Sequence, residues 1–207
     1  MLNNLTNNGL LLLLSYLIGS FPTSYIAGKL FKGIDIRNFG SGNVGATNAV
    51  RVLGTKIGIP VLLIDILKGF LLIFLVKHYL QPSHLFLIGL GISAILGHIF
   101  TIFLKFKGGK GVATSAGVFF ALTPLALTIA LICFILVVMK TKYVSLGSIL
   151  AAITLFLTEL IINFQSNFSN KYELILTGLI ALTIIYTHRA NIKRLRNGEE
   201  NKISFKK

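Results

Sequence analysis

Apolar runs about twenty residues long recur down this chain, and they constrain its fold more than any other feature. A helix needs roughly 17–25 such residues to cross the hydrocarbon of a bilayer. The single runs are Gly9 to Leu30, broken by Pro22, then Ile57 to Leu80, His84 to Leu104, Val144 to Phe164 and the short Tyr172 to Thr187. Val112 to Met139 spans 28 residues, long for one helix, with Thr123-Pro124 near its middle. Proline disfavours helix in the residue before it, so this run divides into two shorter helices there. The expectation is an all-α integral membrane protein of about seven transmembrane helices. It reads as a single polytopic membrane domain over residues 1–207, ending in a basic cytoplasmic tail, 196–207.

Composition agrees. The 207 residues are 54% hydrophobic and 13% charged, where soluble domains carry roughly 25% charged residues. The lone Cys133 lies in an apolar run, so neither an internal disulfide nor a cysteine-based metal site is expected. No basic segment precedes the first apolar run, and Lys29 and Lys32 end it, unlike a cleavable signal peptide. The net charge of +14 calls for an anionic partner. With most of the chain in lipid, phosphate groups or anionic lipid fit that charge better than nucleic acid.

Lysine and arginine positions set the orientation, because cytoplasmic loops carry their excess. The segment 29–56 holds Lys29, Lys32, Arg37, Arg51 and Lys56; the next same-side loop holds Lys105, Lys107 and Lys110; the third holds Lys140 and Lys142. The tail adds Arg189, Lys193, Arg194, Arg196, Lys202, Lys206 and Lys207, so seven spans place 17 of 20 cations on one face. Six spans spoil the sorting after Pro124. The N-terminus is therefore expected outside and the C-terminus in the cytoplasm.

The polar, glycine-rich segments all fall on that cytoplasmic face. The first, "IRNFGSGNVGATNAVRVLG", gathers Gly40, Ser41, Gly42, Asn43, Gly45, Thr47, Asn48 and Arg51. Glycines let backbone N–H groups converge on an anion, and Ser, Asn and Thr supply hydrogen bonds to hydroxyl or phosphoryl oxygens. Arg51 offers a planar fork suited to phosphate. A plain linker would not need asparagines and threonines at such tight spacing. The second segment, "KGGKG", lacks the Walker pattern, since Gly111 follows Lys110 where Ser or Thr should stand and no strand precedes it. Gly108, Gly109 and Gly111 instead free the backbone ahead of a helix near Val112, whose N-terminus suits an anion. Lys105 and Lys107 read as topology signals, while the glycines flanking Lys110 make it a phosphate ligand. The third constellation is split between Ser145 and Ser148 of "KYVSLGSI" and His188 and Asn191 of "YTHRANIKRL". His188 and Asn191 stand three apart and share a helix face.

Inside the spans, Asp65 and Lys68 are spaced to pair with each other, and His98 either donates to a backbone carbonyl or lines the site. No nucleophile elbow, Cys–His pair, His-x4-Asp or HExxH motif is present, and the cytoplasmic loops hold only Asp35, Glu199 and Glu200 as carboxylates. Phosphate and hydroxyl ligands thus abound without a standard base. That suits an enzyme working by positioning and charge stabilisation, or a transporter of a phosphorylated solute. The clustering of polar residues at one face favours the enzyme.

"GSGNVGATNAVRVLG" (40–54), "LGHIFTIFLKFKGGKGVAT" (96–114), "YVSLGSI" (143–149) and "HRANIKRL" (188–195), with "DILKGF" (65–70), closely resemble the acyl-phosphate-dependent glycerol-3-phosphate acyltransferase family of bacterial membranes. The likeness runs from about Leu17 to Leu195, within a family-like core of residues 9–195. It implies a multi-pass protein of the bacterial cytoplasmic (inner) membrane, with seven helices and its active site at the cytoplasmic face. It implies acyl transfer from acyl phosphate to the 1-hydroxyl of glycerol 3-phosphate, the first acylation step of phospholipid synthesis. No cofactor, no metal and no acyl-CoA or acyl-carrier-protein donor is implied. By motif position, Ser41, Lys110 and His188 become candidate catalytic residues. Gly40, Gly42, Asn43, Thr47, Asn48, Arg51, His98, Gly108, Gly109, Gly111, Ser148 and Asn191 become candidate substrate ligands.

Overall fold

The computed structural model describes residues 2–203, the first five of them as backbone only. Lys206 and Lys207, counted above among the tail's cations, lie outside the described residues. All regular structure among the described residues is helical. The backbone groups into two compact units, the first ending at Ala121 and the second starting at Leu122.

The first unit contains α1 (Leu2–Ser20), α2 (Thr23–Lys32), α3 (Ala46–Leu53), α4 (Thr55–Leu80), α5 (His84–Ile99) and α6 (Val112–Leu122). Pro22 stands at the start of α2 and separates it from α1. Helices in lipid associate through close packing at small residues rather than through a hydrophobic driving force. Accordingly α1 meets α5 where side chains are smallest. A Cβ on Gly19 would fall 2.1 Å from the Ala94 carbonyl oxygen, and one on Gly97 would fall 2.2 Å from that of Tyr16. Ser15 adds a hydrogen bond to the Leu90 carbonyl at 2.7 Å. Helices α4 and α6 touch in the same way at Gly69 and Gly117. On α4 the large exposed residues Leu63, Leu67, Leu71 and Phe74 form one stripe, while Asp65, Lys68 and Gly69 are buried. Apolar outside and polar inside is what a lipid solvent demands.

The second unit contains α7 (Pro124–Thr141), α8 (Val144–Gln165), α9 (Lys171–Thr187) and α10 (Arg189–Arg196). The expected division at Thr123-Pro124 is present, with Pro124 opening α7. Gly147 of α8 fits against Val138 and Phe134 of α7. Helices α9 and α10 meet at a bend of 57°.

By length and composition, five segments can cross a membrane, or six if the bent α9–α10 pair is one span. With the bent pair counted, the segment missing from seven is α6. It has 11 residues, about 17 Å of helix at about 1.5 Å per residue, against a hydrocarbon thickness of about 30 Å.

Candidate active site

In the first unit the glycine-rich segment folds around one side chain. Asn48, 2% exposed on α3, accepts from the Ser41 backbone N–H through Oδ1 at 2.9 Å. Its Nδ2 donates to the carbonyls of Asn43 at 2.9 Å and Phe39 at 3.1 Å. The Asn48 amide thus shapes the loop. Gly40 and Gly42 take left-handed conformations, with φ of 62° and 70°. The turn leaves Ser41 exposed and Asn43, Thr47 and Arg51 half-buried. Asn43 caps the turn by accepting from the Gly45 N–H at 2.8 Å. Beneath it lies a small apolar core including Ile36, Val44, Ala49 and Leu53. Arg37 is engaged elsewhere, because it grips Asp35 at 2.6 Å and its hydrogen bonds hold that carboxyl down to about 2.

The lysine–glycine loop lies beside this segment, with Asn43 Nδ2 3.5 Å from the Gly108 carbonyl. Gly108 N–H donates to Ile99 O at 2.9 Å and Gly109 N–H to His98 O at 3.0 Å, pinning the loop to the end of α5. There is no space for larger residues. A Cβ on Gly108 would fall 2.1 Å from His98 O, and one on Gly109 would fall 2.1 Å from His98 Nε2. His98 is thus buried behind the loop, at 7% exposure. Gly111 turns with φ 84° into α6, whose first N–H groups are those a helix leaves without intrahelical partners. Lys110 is half-buried while Lys105 and Lys107 are exposed.

In the second unit, Ser145, Ser148, His188 and Asn191 are all buried. His188 Nδ1 lies 2.8 Å from the Ile184 carbonyl. A carbonyl only accepts, so Nδ1 carries the proton and Nε2 is the basic nitrogen of the neutral ring. Ser148 donates to Val144 O at 2.9 Å. The Glu200 carboxylate, which the sequence reading left in the tail, joins this cluster. Its Oε1 accepts from Ser145 Oγ at 2.8 Å and from Asn191 Nδ2 at 2.7 Å, and its Oε2 accepts from Arg194 Nε at 2.7 Å. Burial pushes this carboxyl up, but the bonds from Asn191, Ser145 and Arg194 outweigh that and hold it below its usual value of 4.5. Glu200, four residues beyond Arg196, is thus tied to α8 and α10.

Helices of spanning length with apolar outer faces, together with glycine loops carrying N–H groups and a cation, define an integral membrane protein equipped for anionic substrates. Residues 9–198 match the family described as glycerol-3-phosphate acyltransferase, and the chain belongs to it. It is 50% identical to glycerol-3-phosphate acyltransferase 2 of Bacillus anthracis, over 95% of this chain and 99% of the relative. It is 46% identical to the glycerol-3-phosphate acyltransferase of Chlorobium phaeobacteroides (strain BS1), over 94% and 96%. Among solved structures it is similar to PlsY, an integral membrane glycerol 3-phosphate acyltransferase, in its glycerol 3-phosphate form. That match has a TM-score of 0.86 and 38% identity, covering 96% of each chain. The lysophosphatidic acid form gives a TM-score of 0.84 at 37% identity.

Proposed function

We propose that this acyltransferase moves a fatty acyl group from acyl phosphate to the 1-hydroxyl of glycerol 3-phosphate. The hydroxyl oxygen bonds to the acyl carbon, the bond from that carbon to the phosphate oxygen breaks, and lysophosphatidic acid and inorganic phosphate leave. The observation that carries this reading is Lys110, set just ahead of the α6 N-terminus, where Gly111 turns the backbone and the first N–H groups of the helix suit a phosphoryl group. Lys110, Ser41 and the backbone N–H groups of Gly111 and the first turn of α6 hold the donor's phosphoryl group. In the first unit Arg51, with Asn43 and Thr47, is the ligand set for the phosphate and hydroxyl groups of glycerol 3-phosphate; in the second unit Ser148, His188 and Asn191 are the substrate ligands.

Phosphate is a good leaving group, so alignment and charge stabilisation supply most of the catalysis. The attacking hydroxyl's proton passes to a phosphoryl oxygen of the donor. The basic Nε2 of His188 offers the second route for that proton. The one-sided distribution of cations supports seven spans, α6 being the short one, with the N-terminus outside and the site at the cytoplasmic face; the bacterial inner membrane is the setting that the family likeness implies.

The test is phosphate release by the purified protein given acyl phosphate and glycerol 3-phosphate. Release is expected only with both present, with no turnover when acyl-CoA or acylated carrier protein replaces the donor. Release without glycerol 3-phosphate would make the protein a hydrolase. Loss of activity in His188→Gln with a shifted pH profile would assign the proton to the imidazole.

A further inference from the structure

A buried polar assembly lies directly behind the lysine–glycine loop, and the proposed reaction gives it no role. Its centre is the ion pair of Asp65 and Lys68 on α4, 2.6 Å apart, with both side chains at 5% exposure or less. Asp65 Oδ1 also accepts from Thr23 Oγ1 at 2.9 Å, and Lys68 Nζ donates to the Phe21 carbonyl. The pair therefore holds both sides of the Pro22 break between α1 and α2. One residue further on, Ser24 donates to the Val44 carbonyl within the first glycine segment.

A recess of about 10 Å³ is lined by Ser20, Thr23, Asp65, Lys68, His98 and Gly109. Two of the polar atoms of these lining residues, Asp65 Oδ2 and Ser20 Oγ, are buried and have no protein hydrogen-bond partner. A carboxylate oxygen in an apolar surround needs a donor, and a space of about 10–15 Å³ with polar walls accommodates one water molecule. The recess adjoins the loop through His98. The His98 carbonyl takes the Gly109 N–H, and its ring stands where a Gly109 side chain would be.

We propose that Asp65, Lys68 and Ser20 hold a single water molecule in this recess, and that the assembly positions the Gly108–Lys110 loop through His98. An ion pair buried at membrane depth is costly, and apolar residues of like volume often replace one without loss of stability. Its role here is geometric: it fixes the α1–α2 break, α4 and the end of α5 behind one loop. The inference rests on the reading of that loop as the donor-phosphate site.

The experiment uses the full-length protein in detergent. The double variant Asp65→Asn/Lys68→Met leaves no uncompensated charge. It is expected to melt near the wild type while its KM for acyl phosphate rises about tenfold or more. KM for glycerol 3-phosphate should change far less. A folded double variant with wild-type KM for acyl phosphate overturns the proposal. Ser20→Ala removes only a water ligand and gives a milder form of the same split. A crystal structure of the unmodified protein resolving waters should show one within reach of Asp65 Oδ2 and Ser20 Oγ. A recess without one overturns the water assignment even if the double variant does not fold. Lys110→Ala separates the two readings. If it too leaves the acyl phosphate KM unchanged, the loop assignment itself is wrong; if it alone raises KM, only the positioning role fails.

Discussion

Asn191 donates from Nδ2 to Oε1 of Glu200 at 2.7 Å, so a residue of the third motif is oriented by a carboxylate nine positions downstream. Ser145 and Arg194 bind the same carboxylate. Glu200→Gln keeps the shape and removes the charge. It is expected to lower stability by about 1–2 kcal/mol and to raise KM for glycerol 3-phosphate. The sign of the pH dependence follows from a folded-state value held below the usual 4.5. The stabilisation is whole above that value and is lost as pH falls through the lowered one. Melting curves in detergent from neutral to acidic pH should show wild type and variant converging toward the acid end. A constant gap at all pH values would rule out the charge as its source.

Lys110→Ala removes a half-buried cation from the loop and should weaken donor binding by about 1.5–3 kcal/mol, roughly tenfold to a hundredfold in KM for acyl phosphate. Lys105→Ala and Lys107→Ala alter exposed side chains and should leave both KM values near wild type. Steady-state kinetics with each substrate varied in turn decides this. Equal effects from all three lysines would mean that overall positive charge, not position, is what counts.

Asn48→Ala strands the backbone groups of Ser41, Phe39 and Asn43 that its amide serves. A loss of about 2–4 kcal/mol is expected, the range for breaking a buried hydrogen-bond network. Asn48→Asp should be no better, because a carboxylate cannot donate to the two carbonyls. Thermal melting of the purified variants measures both, and a stable Asn48→Ala protein would show that the loop is held by other means.

Gly109→Ala drives a methyl group into the His98 ring, since its Cβ would lie 2.1 Å from Nε2. Activity should fall sharply. Gly109→Ala/His98→Ala, which removes the obstructing ring, should recover part of the stability lost in the single variant. Absence of any recovery would place the defect in the loop backbone itself.

Much of this arrangement was legible in the sequence, and the exceptions have physical causes. The break at Thr123-Pro124 and the Asp65–Lys68 pair both follow from neighbours within four residues, where local rules hold. Asn48 was legible as polar but not as buried. Its place on the inner face of α3 with Ala49 is a fact of packing. Glu200 was illegible because its partner Ser145 lies 55 residues away, and no local pattern links a tail carboxylate to a distant serine. Hydropathy marked Val112 to Leu122 as apolar, but the closeness of Pro124 left it only half the length of a span.

The contact between α4 and α6 acts as a ruler. A Cβ on Gly69 would fall 2.0 Å from the Thr114 carbonyl oxygen, and one on Gly117 would fall 1.9 Å from that of Ile66. Two backbones meeting at two points cannot slide past one another without a collision, so the start of α6 is fixed in height against a full-length span. Residues on the outer stripe of α4 can therefore drift among apolar types as the lipid composition requires, while the loop ahead of Val112 keeps its level.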